Sequence, residues 1–243
     1  ILLKLGGYSF IRFNLSILPD ASIFFTPFIY FLSVIAIIYT SLIALVQDDM
    51  KKLIAYSSVA HMGFVTLGIF SSNMQGLHGA IIQMVSHGII SGALFFAIGS
   101  IYNRYKTKEI NFFGGLGNRM SRFSVFFLIF TLGAIGFPGT SGFVGEYLTL
   151  LSVFSKSTTV AFLSATGVIL AASYMLILYK RVFLGAINPN IEKKSEKLNI
   201  YELFTYSILT ILILTFGLKP NLLLDYTSSS LNRIIQLYPI SIF

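Results

Sequence analysis

Four ionisable side chains stand far from the ends of the apolar runs that contain them: Lys4, His61, His87 and Glu146. Charged groups in a hydrocarbon environment are costly and usually functional. Desolvation disfavours the charged forms of an amine and a carboxyl alike, and histidine titrates near neutral pH. Such a set can therefore pass protons through intervening water without large barriers. Hydroxyls that could order the water flank the histidines: Tyr56, Ser57, Ser58 and Thr66 around His61, and Ser86 and Ser91 around His87. Each residue also has a structural alternative. A mid-helix histidine can simply pack, Lys4 can snorkel and Glu146 can cap a helix.

The elements that must position these groups follow from composition. Of 243 residues, 55% are hydrophobic and only 11% charged, against ~25% charged in an average soluble domain. No cysteine is present, which excludes disulfides, iron–sulfur ligation and thiolate zinc sites. The sequence begins at Ile1 inside an apolar run, so a polytopic membrane protein, and not necessarily a whole one, is expected. A spanning helix needs ~20 mostly apolar residues. Seven stretches qualify if the first is allowed to be incomplete: 1–18, 24–46, 53–70, 77–103, 123–154, 159–184 and 201–218. None shows the alternation of a barrel strand, so the expected fold is an all-α bundle of about seven transmembrane helices. Residues 1–220 form the membrane domain. Residues 221–243 form a C-terminal segment able to lie in the interface, with Leu222, Leu223, Leu224, Ile234 and Ile235.

The net charge of +8 is a topology signal. Lys51, Lys52, Arg104, Lys106, Lys108, Arg119, Arg122, Lys180, Arg181, Lys193, Lys194 and Lys197 fall in alternate loops, against Lys156 and Lys219 on the other side. This 12 to 2 bias puts the ends of the second, fourth and sixth stretches on the cytoplasmic or matrix side, and argues against a nucleic-acid partner. The offsets of Lys4, His61, His87 and Glu146 from their run ends correspond to ~12–21 Å, so four groups from four helices share the bilayer midplane. Asp48 and Asp49 precede the third stretch as capping acids. His78 is half a turn out of phase with His87 and reads as interfacial.

The fifth stretch, 123–154, is too long for one crossing: unbroken, its helix would reach ~48 Å. Its middle reads Gly136-Phe137-Pro138-Gly139-Thr140-Ser141-Gly142. Pro138 removes a backbone donor, and Gly139 and its neighbours permit irregular backbone. Two half-helices meeting at mid-membrane are a common way to build ion sites; a simple proline kink is the alternative.

Several motifs carry a family resemblance. Leu2-Leu3-Lys4-Leu5-Gly6-Gly7-Tyr8, the run from Asp49 to Gly63, Gln83-Met84-Val85-Ser86-His87-Gly88, and the run from Gly136 to Glu146 resemble the antiporter-like subunits of respiratory complex I. The resemblance extends along nearly the whole chain. It implies the second half of a fourteen-helix antiporter-like fold, with the first half supplied by a separate chain. It implies that Lys4 is the central lysine of a hydrophilic axis, that His61 and His87 are relay residues, and that Glu146, where sister subunits typically carry lysine, is the terminal proton-exchanging acid.

The implied activity is proton translocation within NADH:ubiquinone oxidoreductase, with Ser57, Ser58, Ser86, Pro138 and Gly139 in supporting positions. NADH, FMN, iron–sulfur clusters and ubiquinone would be bound by other subunits, and no metal by this chain. The implied partners are neighbouring antiporter-like subunits and membrane lipids. Alternatives are a cation/proton antiporter, a membrane-bound hydrogenase, or a scaffold that does not pump. Richness in Ile, Phe, Tyr, Asn and Lys suggests an AT-rich genome, which fits a mitochondrial inner membrane or a bacterial cytoplasmic membrane.

Overall fold

The computed structural model describes residues 2–189 and 198–236. Ile1, the basic residues Lys193, Lys194 and Lys197, and the end of the C-terminal segment, 237–243, lie outside the described residues. The helices are α1 (Leu2–Ser9), α2 (Pro19–Leu45), α3 (Met50–Phe70), α4 (Met74–Tyr105), α5 (Ser121–Ile135), α6 (Ser141–Phe154), α7 (Thr158–Phe183), α8 (Ile200–Leu218) and α9 (Asn221–Gln236). Helices α2, α3, α4, α7 and α8 are each long and apolar enough to cross a membrane. The chain is a multi-pass membrane protein.

Local chemistry sets the helix boundaries. Asp49 caps α3, its carboxylate accepting from the N–H groups of Lys51 and Lys52 at 2.8 and 3.3 Å. Asn73 caps α4 by accepting from Gly76 N at 2.8 Å. Asn199 and Glu202 form a reciprocal capping box on α8. Pro19 and Asp20, expected in a loop, instead begin α2, where a first-turn proline has no N–H to lose. The first stretch is also less regular than expected: α1 widens into a π-helical run, Phe10–Asn14, then closes with a short α-turn, Leu15–Ile17.

The fifth stretch is broken where its sequence changes. Helices α5 and α6 have 15 and 14 residues, so at ~22 and ~21 Å neither spans ~30 Å of hydrocarbon alone. Gly136, at φ +74°, ends α5 in the left-handed conformation open to glycine. The exposed Pro138 and the half-buried Gly139 (φ +93°) form the link. Thr140 N–H donates back to Phe137 O at 3.0 Å before α6 starts.

The basic loops share one end of the bundle. Met50 N–H donates to Lys108 O at 3.0 Å, Ile110 N–H to Asp48 O at 2.7 Å and Gly115 N–H to Leu184 O at 3.0 Å. Lys108 pairs with Asp49 at 2.9 Å. Burial pushes the Asp49 carboxyl up, but the hydrogen bond from Lys108 and the two capping N–H groups outweigh it and hold it below its ordinary range. At the opposite end Phe10 packs edge-on to Phe70 at 5.3 Å. Helix α9 seats Leu231 in the core there, and Ser228 Oγ lies 3.3 Å from His78 Nε2.

The core is divided in two. One apolar cluster, including Leu53, Ile54, Ile90, Leu94, Phe127 and Leu178, fills the basic end. The other, including Ile37, Phe64, Leu67, Phe70, Leu77 and Val153, fills the opposite end. On α3, His61 falls between Ile54 and Phe64; on α4, Gln83 and His87 fall between Leu77 and Ile90. The polar residues therefore occupy the layer between the two clusters.

Candidate functional site

Each of the four ionisable site residues sits on a different helix, and the packing of α3, α4 and α6 brings three of them into one buried layer. His61 from α3, His87 from α4 and Glu146 from α6 are 5%, 6% and 4% exposed. Lys4 reaches the same layer from α1.

The four make a continuous row. Lys4 Nζ lies 2.6 Å from His87 Nδ1. The rings of His87 and His61 stand 5.2 Å apart, inclined at 58°. His61 Nδ1 lies 2.8 Å from Glu146 Oε1. Each hydrogen-bonded step has room for one proton between its two polar atoms, and which atom donates depends on the histidine tautomer. A buried carboxyl needs hydrogen-bond partners beyond a single neighbour. Gln83 Nε2 donates to the same Oε1 at 3.1 Å.

The broken helix makes room for the acid. A Cβ on Gly136 would stand 2.8 Å from Glu146 Oε2, so the position needs glycine both for its φ and for the carboxylate beside it. The start of α6 is pinned to α4 by Ser86 Oγ, which donates to Ser141 Oγ at 2.7 Å.

Of the predicted hydroxyls, Ser57, Ser86 and Ser91 line a small cavity shared with His61, Gln83, His87 and Glu146, which has room for about one water molecule. Ser58 does not line it and donates to Ile54 O of its own helix at 2.9 Å. Tyr56 is exposed, and Thr66 pairs with Ser33 of α2 at 2.6 Å. Pro138 and Gly139 lie in the link between α5 and α6 and do not line the cavity. His78 lies apart, against α9.

Sequence reasoning missed two participants. Gln83 is one helical turn before His87, in the same motif, so the spacing that puts both on one face was the signal for it. Gly136 was legible as a helix breaker but not as the neighbour of a carboxylate ten positions later. Among the described residues, no group of three or more His, Cys, Asp or Glu side chains could hold a metal ion.

Comparison with known proteins places this geometry. Residues 1–178 match the family described as NADH:quinone oxidoreductase/Mrp antiporter, TM. The chain is 50% identical over 238 residues to NADH-quinone oxidoreductase subunit M of Rhodobacter capsulatus, covering 98% of this chain and 46% of that protein. It is 48% identical to NADH-ubiquinone oxidoreductase chain 4 of Marchantia polymorpha, covering 97% of this chain and 48% of that one. Its fold superposes on a chain of respiratory complex I from Thermus thermophilus with a TM-score of 0.93 and 28% identity, covering 98% of this chain and 50% of that chain. The chain spans about half the length of the curated relatives it matches. It belongs to the NADH:quinone oxidoreductase/Mrp antiporter transmembrane family.

Proposed function

We propose that this chain is a proton-translocating part of an NADH:quinone oxidoreductase, of the type named subunit M or chain 4 in its relatives. The observation that carries the reading is the buried row from Lys4 through His87 and His61 to Glu146, whose two hydrogen-bonded steps measure 2.6 and 2.8 Å. Protons are handed along this row, and Glu146 is the end that exchanges with one side of the membrane. Transfer between the two rings requires either a rotation or a water, because a centroid spacing of 5.2 Å is not itself a hydrogen bond.

In this reading NADH, FMN, iron–sulfur clusters and ubiquinone are bound by other subunits, and redox energy reaches Lys4 from neighbouring antiporter-like subunits. The remaining half of the family fold is contributed by protein outside this sequence. The location is a mitochondrial inner or bacterial cytoplasmic membrane, with the basic end facing the matrix or cytoplasm.

The test is the proton-to-electron stoichiometry of the assembled complex in sealed vesicles. Glu146→Gln keeps shape and hydrogen bonding but cannot carry a proton through the cycle. Its stoichiometry should fall while the complex still assembles. An unchanged stoichiometry would contradict the reading and leave the chain a scaffold.

A further inference from the structure

Helix α8 is mostly exposed, yet one face of it runs against the bundle from the basic end to the break. Glu202, Tyr206, Thr210, Ile213 and Gly217 follow one another at steps of four, four, three and four positions, which aligns them on that face. At the basic end Glu202 accepts two hydrogen bonds from Arg104 of α4, at 2.8 and 2.6 Å. Such a two-point pairing fixes orientation as well as distance. One turn on, the Tyr206 hydroxyl lies 2.6 Å from Ser100 Oγ of α4. Ile213 is fully buried, and a Cβ on Gly133 of α5 would stand 3.5 Å from its Cγ2.

Gly217 completes the face, ~22 Å from Glu202 along the helix. A Cβ there would stand 2.5 Å from the carbonyl carbon of Thr140 and 2.7 Å from that of Gly139, and would also meet Gly139 O. All three are backbone atoms where the link enters α6, so no side-chain rotation can relieve the contact. The φ of Gly217 is not in the left-handed region, so it is not a helix cap of that kind. The close approach is what requires glycine. The same link meets the acid from within: Gly136 lies against Glu146 Oε2, and Ser141, just past the link, is held by Ser86 of α4.

We propose that Gly217 is a positioning residue for Glu146: it seats α8 against the Gly139–Thr140 peptide, and the broken helix thereby keeps the carboxylate beside His61. The link touches α8 through Gly139 and Thr140 and the acid through Gly136, so a displacement at one contact is delivered to the other. Helix α8 resists that displacement because Glu202 and Tyr206 hold it to α4, the helix that also carries Gln83 and His87. No residue of α8 lines the cavity. Gly217 therefore acts through backbone position and not by touching a proton carrier. The proposal rests on the reading of Glu146 as the proton-exchanging acid.

The experiment compares Gly217→Ala, Gly99→Ala and Glu146→Gln in the assembled complex. It reads NADH-driven proton translocation in vesicles and the infrared band of the protonated Glu146 carboxyl. Gly99 is a helical glycine of α4 with nothing within 4 Å of an added Cβ, and its variant should match the parent in both. Gly217→Ala should lower translocation by about tenfold or more, as a displaced reacting group does. It should also shift the carboxyl band, because the hydrogen bond from Glu146 to His61 changes. If Gly217→Ala does not assemble, Glu202→Gln, which loosens the anchor of α8, carries the same measurement and should shift the band. An unmoved band, even with translocation lowered, or an equal shift in Gly99→Ala, would make Gly217 a packing residue and overturn the proposal alone. Normal translocation in Glu146→Gln, or a parent without a Glu146 band, would overturn the underlying reading instead.

Discussion

His61 Nδ1 lies 2.8 Å from Glu146 Oε1, across 85 positions of sequence, with both side chains buried. This contact joins the histidine at the middle of α3 to the acid beyond the break in the fifth stretch. Several consequences can be measured.

Gln83 is the second donor to Glu146 Oε1, at 3.1 Å. Gln83→Leu keeps volume and removes the donor, leaving Glu146 on His61 alone. Proton-coupled turnover should drop by about tenfold, the equivalent of one hydrogen bond to a charged group, with assembly retained. Steady-state proton uptake by vesicles reads this directly.

Gly136→Ala should be damaging for two separable reasons. A non-glycine residue at φ +74° costs roughly 1–2 kcal/mol, and the new Cβ meets Glu146 Oε2. Thermal unfolding of the variant should show the first loss. Loss of translocation beyond that seen for Gly139→Ala, where φ is +93° but nothing lies within 4 Å of an added Cβ, should show the second.

Lys4 and His87, 2.6 Å apart, should behave as one unit. Lys4→Met and His87→Phe should each lower proton-coupled turnover by about tenfold or more. The double variant should be no worse than the worse single one, because groups in direct contact are not additive. Multiplying effects would mean that the two act independently.

Asp49 ties the basic-end loop to α3 through Lys108 and two N–H groups. Its carboxyl is held below its ordinary range, so it contributes stability that is present above the unfolded-state value of ~3.9 and is lost as pH falls through the lower folded value. Asp49→Ala should cost about 1 kcal/mol at neutral pH. The difference from the parent should shrink on acidification below about pH 4, as read by thermal unfolding across pH.

The depth of Lys4, His61, His87 and Glu146 was legible because helices rise uniformly, so distance from a run's end gives position across the membrane. The break was legible because Pro138 and its flanking glycines cannot continue a helix inside a run too long for one crossing. The pairings were not legible. That His87 meets Lys4 while His61 meets Glu146 depends on which helix packs beside which and on rotation about each axis. Gln83 carried no charge to mark it. The early start of α2 at Pro19 was hidden because a proline reads alike as a loop residue and as a helix's first residue.

The most direct measurement is the infrared difference spectrum of the assembled complex between resting and turnover states, with and without Glu146→Gln. If Glu146 gains and loses a proton through the row, the spectrum should contain a protonated-carboxyl band that disappears in the variant and weakens in His61→Ala. A parent spectrum with no carboxyl band, or one that Glu146→Gln leaves unchanged, would contradict proton exchange at Glu146.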